Sequence, residues 1–238
     1  MALSPVTELV IANRILAHED VVDAYGHVSV RQGDRFLLSC SRSPSLVEDG
    51  DILEFNLNGE PVRKDPRPLY LERFIHAAIY EARPDVMAVV HAHAEDVLPF
   101  TITATPLKPV IHSGAFIGAK VPVWDIADRF GSRTNLLVTD MAQGRDLAKR
   151  LGAHHVALMR GHGFAAAARS LIDVVRLSIY LPRNARVQFK AMQMGKLTPL
   201  SKGEIETRTS GYKPQSPETQ RAWQYWAGRA GCAELLKG

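Results

Sequence analysis

His91 and His93 flank a single alanine, and His162 stands between two glycines. Side chains alternate faces along a strand, so the two imidazoles of His91-Ala92-His93 leave the chain on the same side. Residues 86–93 form a nearly continuous apolar run with β-branched members, the pattern of a buried strand. A buried imidazole needs a polar partner, and two on one face at a strand's end can share one. Gly161-His162-Gly163 follows a second buried run, Val156–Met159, and its glycines let the backbone bend and bring a ring close to a ligand. Three neutral imidazoles with positions left open for water or substrate are the usual build of a catalytic metal centre. The plainer alternative for His162 is a turn residue. Such a set, with hard oxygen ligands, suits Zn, Mn, Fe or Co. Glu72 and, one turn later, His76 precede the His-x-His strand. Glu72 could ligate the metal or act as acid/base, but on the residues alone a solvated helix carboxylate is the default.

The elements around these residues can be read in outline. Ser4-Pro5 is an N-cap followed by proline in the first turn, opening a helix over 6–16. Residues 28–31 and 36–39 read as short strands around Gln32-Gly33-Asp34. Residues 52–57 alternate and end at Asn58-Gly59, a strong hairpin turn, with Pro61-Val62 starting the return. Helical periodicity covers 69–82 and stops before Arg83-Pro84, as the crowding before proline requires. A helix ending at 146–151 stops at Gly152. Residues 170–195 read as one long helix that Pro182 should kink. Ser216-Pro217-Glu218 opens a last helix carrying Trp223 and Trp226. Helices and strands are intermixed, which implies an α/β or α+β domain.

Composition narrows the function classes. The 238 residues fit one large domain over 1–238, and no shift in composition marks a boundary. Apolar residues at 46% can build a sizeable core. No run of about 18 apolar residues is present, so no membrane span is expected. The stretch 6–16 is broken by Glu8, Asn13 and Arg14, unlike a secretion signal. Two cysteines, Cys40 and Cys232, make no disulfide framework and suit a reducing cytoplasm. The net charge of +4 comes from basic residues spread along the chain, a pattern that argues against a nucleic-acid face. It fits a mild attraction for small anionic substrates. Residues 196–238 carry no readable motif and form a C-terminal extension that could cover a neighbouring subunit's site.

Several motifs occur together, in one order and spacing. They are Gly26-His27-Val28-Ser29, Asp51-Ile52, Glu72-Arg73-Phe74-Ile75-His76, Ile79-Tyr80-Glu81-Ala82-Arg83-Pro84-Asp85, Val89-Val90-His91-Ala92-His93 and Gly161-His162-Gly163. Over roughly residues 6–195 they resemble the class II aldolase/adducin family. The resemblance implies a three-layer α/β/α sandwich around a mostly antiparallel central sheet. It also implies a homo-oligomer, usually a tetramer, with sites between neighbouring subunits. By position, His91, His93 and His162 look like the ligands of one divalent metal per chain. Glu72 looks like the acid/base, with His76 or water as the other sources of the proton.

The departures from the family's sugar-phosphate aldolases point to the substrate. Those enzymes hold phosphate with a Gly-Asn-x-Ser turn, a Ser-Gly turn and a Ser-Ser pair before the glutamate. Here the asparagine is His27, the Ser-Gly turn is Ser41-Arg42, and the Ser-Ser pair is Tyr70-Leu71; Ser29 is kept. Small neutral donors have given way to bulk, an aromatic ring and possible cations. Residues 23–31 and 71–76 are similar to the branch that decarboxylates hydroxylated aromatic acids. That branch includes the dihydroxyphthalate and 3-hydroxy-2-methylpyridine-4,5-dicarboxylate decarboxylases. On this reading His27, Ser29, Ser41, Arg42 and Tyr70 face the substrate. His27 and Arg42 would meet carboxylate, and Tyr70 a ring. The expected function is therefore a metal-dependent lyase that decarboxylates a hydroxylated aromatic or heteroaromatic acid. Its rivals are a metal aldolase on a small hydroxy-keto substrate, a sugar-phosphate dehydratase or epimerase, and a non-catalytic module like an adducin head. Three retained histidines argue against the last.

Overall fold

The computed structural model describes residues 3–213 and 216–237. Seven strands form one sheet in the order β3-β2-β1-β4-β7-β6-β5. They are β1 (His27–Gln32), β2 (Arg35–Ser39), β3 (Ile52–Asn56), β4 (Ala88–Ala92), β5 (Val123–Trp124), β6 (Val156–Met159) and β7 (Gly163–Ala168). Every neighbouring pair is antiparallel except β5–β6. The helices are α1 (Pro5–His18), α2 (Arg73–Ala82), α3 (Leu98–Thr101), α4 (Ala127–Phe130), α5 (Met141–Leu151), α6 (Leu171–Met194), α7 (Lys202–Ser210) and α8 (Pro217–Arg229). Among the described residues no helix is long and apolar enough to cross a membrane.

Strand alternation sorts the core into two layers. Val28, Ala88, Val90, Ala92, Val156, Leu158, Phe164 and Ala166 pack on one face with Leu9, Ile11 and Ile15 of α1, Val174 and Ile179 of α6 and Trp226 of α8. Phe36, Leu38, Val89, Ala157, Met159, Ala165 and Ala167 pack on the other with Ile75 and Ile79 of α2 and Leu147 of α5. The architecture is an α/β sandwich with helices on both faces of a mostly antiparallel sheet. On β1 the period of two places His27, Ser29 and Arg31 on the α2 face, opposite Val28 and Val30. On β4 it places His91 there too. Glu72 at the N-cap of α2 and His76 and Tyr80 on it recur every fourth residue and form one stripe. A polar seam thus runs between α2 and strands β1 and β4, inside an otherwise apolar layer.

Helix α2 begins at Arg73, not at 69 as the periodicity suggests. The reason is tertiary. The Tyr70 hydroxyl donates to the Arg42 carbonyl, and Ser41 N–H donates to the Pro68 carbonyl at 2.8 Å, holding 68–70 out of the helix. Glu72 becomes the N-cap residue, with its carboxylate turned away from the helix end. The return strand after Asn58-Gly59 shrinks to one bridge between Phe55 and Pro61. Pro182 lies inside α6, and the helix continues past it to Met194.

The α2–α5 contact is tight. A Cβ on Gly144 would stand 2.5 Å from the Phe74 carbonyl oxygen and 3.0 Å from the Ala78 Cβ. Gly144→Ala is therefore expected to destabilise the fold by about 1–3 kcal/mol through overpacking, despite alanine's better helix propensity. Outside its own helical turn, no atom of the described residues lies within 4 Å of where a Cβ on Gly228 of α8 would stand, so Gly228→Ala should stabilise by up to about 1 kcal/mol. Urea midpoints that move the same way in both variants would contradict this packing.

Candidate metal centre

The centre is assembled by one strand end, one hairpin and one helix start. His91 sits on β4, fully buried, and its Nδ1 lies 3.0 Å from the Phe164 carbonyl of β7. A carbonyl only accepts, so His91 carries its proton on Nδ1 and turns a lone pair outward at Nε2. His93 follows the end of β4. His162 sits in the three-residue turn between β6 and β7, with its N–H on the Met159 carbonyl at 3.0 Å. Both glycines around it are needed. Gly161 has φ +63°, and a Cβ on Gly163 would meet the Ala92 carbonyl oxygen at 2.2 Å. Thr101 Oγ1 accepts the Gly161 N–H at 3.0 Å and ties this turn to α3.

Four donors converge. His93 Nε2 is 3.0 Å from His91 Nε2 and 3.1 Å from His162 Nε2. Glu72 Oε2 is 3.2 Å from His91 Nε2 and 3.4 Å from His162 Nε2. All four ligand atoms lie within 4.8 Å of one another. Oε1, the other Glu72 oxygen, accepts the Val138 N–H at 3.0 Å, which aims the carboxylate. One proton on His93 Nε2 could satisfy only one of its two imidazole neighbours, whereas a cation at the common focus satisfies every lone pair. Four ligands at about 2.0–2.2 Å from a tetrahedral divalent ion would be separated by about 3.3–3.6 Å, close to the spacings found. The residues fit a divalent metal. His162 Nδ1 is buried with no hydrogen-bond partner among the described residues.

The other residues singled out in the sequence divide into two groups. His27 is buried beside the centre, its ring 5.2 Å from His91 and 4.5 Å from Tyr70. Ser29 and His76 are fully buried beneath it. His76 has both nitrogens occupied, Nε2 by His27 Nδ1 and Nδ1 by Ser29 Oγ, each at 2.6 Å. It presents no free atom to a substrate. Ser41 is exposed. The Arg42 guanidinium is engaged by Asp51 at 2.7 Å and Glu48 at 3.7 Å, while its carbonyl takes the Tyr70 hydroxyl. Sequence reasoning missed Tyr80, Val138 and Thr101. Tyr80 alone left a signal, as the next member of the four-residue stripe. A cavity of about 460 Å³, lined among others by Asp23, Ser43, Ser45 and Glu95, opens against His93.

Electrostatics follow from this burial. Burial alone raises the Glu72 carboxyl, but His91 and His162 together outweigh it and hold it well below the usual carboxylate range. Burial, aided by His91, brings His76 down to about 3. In the unfolded chain the same imidazole takes its proton near about 6.5. Acid therefore favours unfolding: the His76 contribution is complete above about pH 6.5 and is lost as pH falls towards 3. This residue adds at most about 1.4 kcal/mol per pH unit to the slope. His76→Gln should be less stable than wild type at neutral pH yet show a flatter loss on acidification. Parallel slopes for the two metal-free proteins would contradict the assignment.

The model for the class II aldolase and adducin N-terminal domain matches residues 7–189, most of the chain. The chain belongs to this family. A similar curated protein is the decarboxylase tropJ of Talaromyces stipitatus, 34% identical over 246 aligned positions that cover 93% of this chain and 92% of that protein. The 3,4-dihydroxyphthalate decarboxylase of Arthrobacter keyseri is 26% identical, covering 94% and 93%. Among solved structures, an aldolase II superfamily protein from Pseudomonas syringae superposes with a TM-score of 0.78 at 19% identity, covering 97% of this chain and 93% of that one. An L-fuculose 1-phosphate aldolase gives 0.73 at 22% identity, covering 88% and 97%. Membership of the class II aldolase and adducin family, with these relatives, indicates a lyase of the decarboxylase or aldolase kind.

Proposed function

We propose that the chain decarboxylates a hydroxylated aromatic or heteroaromatic carboxylic acid at a single divalent metal held by His91, His93 and His162. The observation that carries this reading is the ring pair His27–Tyr70, 4.5 Å apart, packed beside the histidine cluster. Rings make a wall suited to a planar substrate, where a tetrahedral phosphate needs small donors around it. The similarity to decarboxylases over nearly the whole chain supports the same choice. A divalent ion, when bound, supplies a Lewis acid for the charge left as the carbon–carbon bond breaks. Glu72, aimed by the Val138 amide and held ionised on the same cluster, is the group assigned to take up the proton of the substrate's hydroxyl and pass it to carbon. His76 is assigned to positioning, because both its nitrogens are taken. We propose further that the chain acts as a homo-oligomer, a tetramer by the family's habit, whose neighbouring subunit covers the open face where Tyr25, Leu71 and Ile102 are exposed.

Arg42 is committed to Asp51, so His27 is the group assigned to the substrate carboxylate. His27→Ala is expected to raise KM by about 10–100-fold, the worth of a hydrogen bond to a charged group. Arg42→Ala should change KM by less than about twofold and act mainly on stability. A large KM effect confined to Arg42→Ala would reverse the assignment. The function itself is tested by incubating the metal-loaded protein with a panel of ortho-hydroxy aromatic acids and with fuculose 1-phosphate. Carbon dioxide from a member of the panel is expected. An aldehyde from the sugar phosphate, with no carbon dioxide from any acid, would return the chain to the aldolases.

A further inference from the structure

The polar seam beneath the site is a continuous hydrogen-bonded row. Tyr80 Oη lies 2.7 Å from Ser29 Oγ, Ser29 Oγ 2.6 Å from His76 Nδ1, and His76 Nε2 2.6 Å from His27 Nδ1. None of the four residues is more than 3% exposed. With both imidazoles neutral, the row holds four protons for three links, so one proton is left at an end. A Ser29 hydroxyl accepting from both neighbours would leave its own buried proton without an acceptor among the described residues, so either every proton points towards His27 or every proton points towards Tyr80.

The Tyr80 end decides between them. The Tyr80 phenol is buried, and Ser29 Oγ is the only acceptor within hydrogen-bond reach of it among the described residues. If the row pointed towards Tyr80, its own proton would have no acceptor among the described residues. Buried donors are not left so. In the other direction every group is satisfied: Tyr80 donates to Ser29, Ser29 to His76 Nδ1, and His76 Nε2–H to His27 Nδ1. The remaining proton then resides on His27 Nε2, which has no protein partner among the described residues.

We propose that Tyr80, Ser29 and His76 form a one-way relay of hydrogen bonds that fixes His27 as the Nε2–H tautomer, a neutral donor held ready for a substrate carboxylate oxygen. The three are positioning residues that act through His27. The inference rests on the proposed function only for what His27 meets; the tautomer itself is a property of the chain. It explains why a histidine can stand where a carboxylate binds without carrying charge. It also explains why Ser29 and His76, though beneath the site, are tied to it.

The test is nitrogen NMR of the full chain, labelled with ¹⁵N-histidine and loaded with diamagnetic zinc, with His27 assigned by its absence in His27→Gln. The wild type is expected to show a protonated Nε2 and an unprotonated Nδ1 at His27, the favoured form outweighing the other by at least about tenfold, or about 1.4 kcal/mol. Ser29→Ala removes the donor to His76 and should let both His27 tautomers appear. Ser29→Thr, which keeps the hydroxyl, should restore the single form. His27 protonated at Nδ1 in the wild type would overturn the proposal, as would a Ser29→Ala variant that keeps one pure Nε2–H form. Neither result depends on turnover, so absence of decarboxylation with the expected tautomer would count against the proposed function alone.

Discussion

Replacing His91 with alanine is expected to empty the metal centre and lower turnover by at least about 10³-fold, since a Lewis acid contributes several kcal/mol to such a barrier. Of the three imidazoles, His91 is the most constrained. It is fully buried, its tautomer is set by the Phe164 carbonyl, and its Nε2 touches both His93 and Glu72. The substitution also removes one hydrogen bond to the Phe164 carbonyl, which keeps its place in the β4–β7 ladder, at a cost of about 0.5–1.5 kcal/mol. Two extensive apolar layers remain, so the variant should stay folded. Elemental analysis beside a urea titration checks both halves. Metal content equal to wild type in a folded His91→Ala protein would mean that the cluster is not the metal site.

Glu72→Gln should act on the rate more than on the fold. The amide oxygen can still accept the Val138 N–H, so the side chain keeps its direction. What is lost is a charge beside three imidazoles and a group able to carry a proton. Metal affinity should fall, yet the ion should remain bound at saturating concentration. Turnover at that saturation should drop by about 10²–10⁴-fold, the usual contribution of one placed acid/base. Near-normal kcat would pass proton delivery to water.

How far the sequence foretells this arrangement depends on how local each signal is. Strand alternation at His91-Ala92-His93 and the glycines around His162 are local, and the structure brings these rings together. The capping box Ser201-x-x-Glu204 that starts α7 is equally local, and it was present to be read. Strand β7 was harder, because Phe164 followed by four alanines lacks the β-branched residues that mark a strand. The start of α2 was not readable, because hydrogen bonds to Arg42 and Ser41, distant in sequence, hold 68–70 out of the helix. The engagement of Arg42 by Asp51 is likewise tertiary. The seam left a double trace, the His27/Ser29/Arg31 alternation and the Glu72/His76/Tyr80 stripe, but each half reads as ordinary amphipathicity until the helix is laid on the strands.

The measurement closest to the central claim is the rate of carbon dioxide release from a hydroxylated aromatic acid as metal is returned to chelator-treated protein. We expect almost no release from the metal-free chain. The rate should rise linearly with added ion and reach a plateau at one equivalent per chain, and His91→Ala should stay flat throughout. Undiminished release from protein verified as metal-free would contradict the account.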